Sequence, residues 1–215
     1  MKFKKLIFFF SILSFIVPLI TVTICYYILI NNTSLETFPF IDGKISISYL
    51  GRQELTIKIF KTGMLLFILI SFFFYFYISN FFQKNKFENR LKTFGIIANF
   101  FLGIYIFTIG NNSELYNILR KLGITLYIIT MYINHIYTIK LIKKTKKFRF
   151  NNQSLNILFI IVIIMTGLII IGSPWIISTF EHPHPHQMKN IVEWNYFLLM
   201  VSFYVPVSVL FYKLN

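Results

Sequence analysis

Six stretches of this chain, residues 6–30, 62–82, 93–110, 122–139, 155–177 and 191–212, are written almost wholly in Phe, Ile, Leu, Tyr and Val. Each is long enough, at a helical rise of about 1.5 Å per residue, to cross most or all of a hydrocarbon layer about 30 Å thick. The expected fold is all-α: a polytopic six-helix transmembrane bundle, one domain over residues 1–215, with a structured first outer loop. The first run is too long for the apolar region of a cleaved signal peptide, about 7–15 residues, and no small-residue cleavage site follows it. It therefore reads as a retained span. Pro18 within it and Pro206 within the sixth run are expected to bend their helices.

Charge supports the same reading. Only 13% of residues are charged, where a soluble domain carries about a quarter. A net charge of +14 would fit nucleic acid on a soluble fold, but here the cations sit between apolar runs, so nucleic acid is excluded as a partner. The single cysteine, Cys25, lies inside the first run, which rules out an intrachain disulfide and a cysteine-rich metal site. With six spans and both termini cytoplasmic, fourteen of the 21 Lys and Arg residues fall on the inner side, Lys140 to Arg149 being the densest group. The positive-inside rule counts those residues and favours this orientation.

Thr37 to Glu54 is the only long polar segment, and it carries signals that a plain linker does not need. It opens Phe38-Pro39-Phe40, continues through an Asp42-Gly43 turn and an alternating Ile/Ser run, and closes at Gly51-Arg52. Ionisable groups at the ends of spans are costly and so are functional candidates. On the outer side these include Asp42, Arg52, Lys121 and Glu193, which together could line one polar pocket. Glu193, next to Trp194 at the head of the sixth span, is expected to pair with Lys121 or Arg120 and fix two helices. His182, His184 and His186 alternate with proline, and the three-residue turn of polyproline II spreads them around the axis. A single-ion site would need a sharp turn there, so the expectation is a solvated loop with no metal, these three being the weak candidates. Asn99 and His135 read as contacts between helices. No phosphate-cradling loop, nucleophile elbow or zinc-hydrolase motif is present, no catalytic set stands out, and no cofactor is expected.

The six-span layout, the first loop with Pro39-Phe40-Ile41-Asp42 and then Ile59-Phe60, and Glu193-Trp194 at the last span resemble the Frag1/DRAM/Sfk1 family of membrane proteins. The match is partial, because that family's loop carries a Ser before the Asp, and Lys121 stands near where relatives often have His. Ile47-Ser48-Tyr49-Leu50-Gly51 is also similar to the Ile-Ser-x-Leu-Gly loop of an uncharacterised prokaryotic six-span family. The first resemblance implies work on or near lipids, with Pro39, Phe40, Ile41, Asp42, Phe60, Glu193 and Trp194 as the matching positions. The expectation is an accessory factor in membrane lipid handling, acting through its outer loop on membrane lipids or other membrane proteins. Alternatives are an integral membrane enzyme working on lipid or lipid-linked glycan at the outer interface, and a small transporter.

Overall fold

The computed structural model describes residues 2–33, 37–82, 88–111, 113–145, 148, 152–172 and 185–214. Its helices in chain order are α1 (Lys2–Thr33), α2 (Ile47–Leu50), α3 (Ile57–Phe81), α4 (Glu88–Thr108), α5 (Glu114–Lys144), α6 (Asn152–Ile171), α7 (Pro185–Ser202) and α8 (Tyr204–Tyr212). No strand occurs among the described residues. Six helical segments, with α7 and α8 counted as one, are long and apolar enough to cross a membrane, so the chain is an integral, multi-pass membrane protein.

Span boundaries shift because a helix does not stop where its apolar run stops. α5 starts at Glu114 rather than 122 and runs to Lys144, with the acid in its first turn and Lys143 and Lys144 in its last, the charge order that the helix dipole favours. α3 starts at Ile57 rather than 62; α6 is described to Ile171, and residues 173–177 of the expected fifth span lie outside the described residues. α1 runs unbroken through Pro18, a tolerance common in membrane helices, whose neighbours re-satisfy the freed backbone groups. The sixth span, expected over 191–212 with a bend at Pro206, is interrupted at Phe203. The cause lies three residues on: Pro206 has no N–H for the carbonyl of Ser202.

The spans close a ring in which α1 packs on α3, α3 on α4, α4 on α5, α5 on α6, α6 on α7 and α8, and α8 back on α1. The sixth span is the most buried of the six, 67% against 28–44% for the other five. Aromatic rings make its contacts. Tyr204 meets Phe74 edge-on at 5.1 Å and its hydroxyl lies 3.4 Å from that of Tyr75, while Phe203 stacks on His135 at 3.8 Å. Phe211 closes the far end against Phe81 at 5.1 Å and Phe148 at 5.3 Å. On the outside of the bundle the side chains are large and apolar, Phe107, Ile163 and Phe100 being 65–69% exposed, which is stable only where lipid is the solvent.

Small residues let the helices approach: a Cβ on Gly123 of α5 would lie 3.0 Å from the carbonyl of Phe101 in α4. The polar contact expected of Asn99 is made instead by Asn134. With its amide oriented to satisfy both neighbours, Asn134 donates to the Leu91 carbonyl at 3.1 Å and accepts from the Gly95 N–H at 2.9 Å. His135 is fully buried in the helix contact expected of it, held by ring packing. Lys4 donates to the carbonyl of Leu214, so both ends of the chain lie on one face, as an even number of spans requires.

Candidate functional site

At the opposite face, residues 37–56 form a compact cap. The Phe38 carbonyl accepts from Ile41 N–H at 2.9 Å and Asp42 N–H at 3.0 Å, a turn that Pro39, buried at its second position, is shaped to enter. Asp42 then ties the turn to itself. Its carboxylate accepts from Thr37 Oγ1 at 2.7 Å, Phe38 N–H at 2.7 Å and Lys44 N–H at 3.0 Å. The alternating Ile/Ser run becomes a bend and one helical turn, α2, because the Ser46 hydroxyl caps it by accepting from Tyr49 N–H at 3.0 Å. Ile45, Ile47 and Leu50 point into the core, and Thr56 closes the cap by donating to the Leu50 carbonyl.

Asp42 lies outside the spans. Burial raises its carboxyl, but the N–H of Lys44, the Thr37 hydroxyl, the N–H of Phe38 and the Lys44 ammonium together outweigh that and hold it below its ordinary value of 3.8. Folding therefore weakens its grip on a proton. The stability it contributes is complete above the unfolded carboxyl value and is lost as pH falls through the folded one. The cap is expected to keep its protease resistance from neutral pH down to about pH 4 and to loosen only below. Asp42→Asn should remove that transition, and opening near neutrality in the parent would contradict it.

The head of α7 fastens the cap through side chains that bond to loop backbone. Asn190 Nδ2 donates to the Gly43 carbonyl at 2.8 Å, Trp194 Nε1 to the Ile45 carbonyl at 2.9 Å, and Asn195 Nδ2 to the Phe40 carbonyl at 3.0 Å. Glu193 Oε1 accepts from Ser48 N–H at 3.2 Å, and the Ile47 N–H also faces that carboxylate. The Trp194 ring fills the joint, edge-on to Phe40 at 5.2 Å and to Tyr26 of α1 at 5.9 Å. Gly43 has φ of +58°, and a Cβ there would lie 2.1 Å from the Gln187 carbonyl oxygen, so only glycine lets loop and helix touch.

Pro39, Phe40, Asp42, Glu193 and Trp194 are thus brought together as the structure of the cap and its latch. The expected pairing of Glu193 with Lys121 or Arg120 is replaced by backbone amides that meet its carboxylate, while Lys121 is exposed and Arg120 half-buried near the start of α5. Beside the latch lies a second, cationic grouping. Arg52, whose Nε donates to the Ser48 carbonyl at 3.2 Å, sits within electrostatic range of Arg120, Glu193 and the hydroxyl of Tyr105, and Lys189 faces Glu193. Asn190, Asn195 and Tyr105 escape a reading of charge alone. The signal for the first two is the polar spacing 190, 193, 195 at the head of an otherwise apolar helix. His182 and His184 lie outside the described residues, His186 is exposed at the start of α7, and no group of three or more His, Cys, Asp or Glu converges among the described residues. No family model, curated protein or solved structure matches the chain.

Proposed function

We propose that this protein is a non-catalytic factor of membrane lipid handling, whose cap engages anionic headgroups at the bilayer surface. The observation that carries the reading is the Glu193 carboxylate bonded to the Ser48 N–H at the joint of cap and α7, with Arg52 of the cap in electrostatic range of both that carboxylate and Arg120 of α5. Two like charges carried by separate elements within electrostatic range of each other favour an anion beside them, and a planar fork suits phosphate. Both oxygens of Asp42 and Oε1 of Glu193 accept from loop N–H groups, a structural use of these carboxylates that weighs against the enzymatic alternative. The layout resembling the Frag1/DRAM/Sfk1 family points to lipids as well. The excess of Lys and Arg in the segments expected on the same side as the termini supports a cytoplasmic placement of both ends and an outward cap.

In nanodiscs, hydrogen exchange across residues 37–56 is expected to slow when phosphatidylglycerol replaces part of the phosphatidylcholine. The double variant Arg52→Gln, Arg120→Gln should lose that response, each cation near the surface being worth about 1 kcal/mol. Equal exchange in both bilayers for the parent protein would remove the proposal.

A further inference from the structure

Between α1 and α3, just below the cap, an open groove of about 400 Å³ runs along the outside of the bundle. Ile20 and Ile24 form one wall and Lys58, Ile59 and Thr62 the other. Its floor is set by Gly63, where a Cβ would lie 2.1 Å from Thr21 Oγ1, so the two helices touch there and part above. Ile20, Ile24 and Ile59 are 38–51% exposed and present branched apolar surface to the groove. Lys58 stands in the first turn of α3, and Gly63 lies deeper in the span by about 7 Å of helical rise. The groove therefore begins at the membrane surface with a cation and continues into hydrocarbon with methyl groups.

The charge at its mouth calls for a partner. Lys58 is exposed, Lys61 follows on the next turn, and the first turn of α3 contains no acidic residue. Ammonium groups at the positive end of a helix are unfavourably placed unless an anion joins them. We propose that this groove binds one acyl chain of an anionic glycerophospholipid, with the lipid phosphate held by Lys58. The chain takes the place of the loosely ordered lipid that a smooth helix face would meet, and the lysine fixes its depth. This site involves neither Arg52 nor Arg120, and it stands or falls separately from the headgroup contact proposed for the cap.

The test uses the full chain in phosphatidylcholine nanodiscs doped with a phospholipid carrying a photoactivatable diazirine on one acyl chain, as phosphatidylglycerol or phosphatidylcholine in matched preparations. Label is expected to concentrate on Ile20, Ile24, Ile59 and Thr62, and to be about fivefold stronger for phosphatidylglycerol. Lys58→Glu should abolish the headgroup preference. Thr62→Phe, or Ile59→Trp should the first variant melt early, fills the groove and should remove label from both probes. Arg52→Gln with Arg120→Gln should leave the labelling as it is. Equal labelling by the two probes, label spread evenly over all lipid-facing helices, or label that survives filling would overturn the proposal. Crosslinks from these residues to a second copy of the chain would also overturn it, since the groove would then be a helix interface.

Discussion

Trp194→Ala is expected to open the cap while leaving the spans folded. The change deletes the indole from a joint where it contacts Phe40 and Tyr26 and is 4% exposed, and it strands the Ile45 carbonyl. Truncating a buried aromatic of this size costs about 3–5 kcal/mol. The spans below are held by lipid and by one another, so the loss falls on the cap. Limited proteolysis between residues 37 and 56 should become fast, and helicity by circular dichroism should stay near that of the parent. Trp194→Phe keeps a ring in the joint and loses only the N–H, so its cap should weaken by about 1–3 kcal/mol, the range for an orphaned buried carbonyl. Resistance equal to that of the parent in the alanine variant would show that Trp194 does not hold the loop.

Gly43→Ala should be nearly as damaging, for a different reason. At φ of +58° any side chain is strained, and the new methyl would meet the Gln187 carbonyl oxygen at 2.1 Å and Ile191 Cγ1 at 2.9 Å. Strain and overpacking together should cost about 2–4 kcal/mol. The neighbouring Ile41→Ala serves as the control. Ile41 is 72% exposed, and its replacement should change cap stability by less than about 0.5 kcal/mol. Equal protection of the loop amides in Gly43→Ala and in the parent would contradict the close approach of loop and helix.

Apolar run length was enough to read the six spans, because hydrocarbon imposes one simple demand on a backbone. It did not reveal that the sixth is the most buried. Lipid-facing and helix-facing positions are both apolar here, so sequence hardly separates Phe107, turned to lipid, from Phe211, fully buried. The loop was legible as structured from its turn residues, and Phe40, Asp42, Glu193 and Trp194 do come together at it. Their roles were not legible. A carboxylate bonded to backbone amides and one paired with Lys121 look alike in sequence, and the choice rests on how far the loop folds over α7. Asn190 and Asn195 were overlooked because uncharged amides at a span end carry little weight until a carbonyl is seen opposite them.

Residues 37–56 are bound as a rigid cap to the head of the sixth span, and amide hydrogen exchange of the intact protein in nanodiscs reads that binding residue by residue. The N–H groups of Phe38, Lys44, Ser48 and Tyr49, each bonded to a side-chain oxygen, are predicted to exchange at least about a hundredfold more slowly than in an unstructured peptide. Trp194→Ala is predicted to erase that protection. Exchange of these four amides at peptide rates in the parent protein would show a free loop and contradict the account.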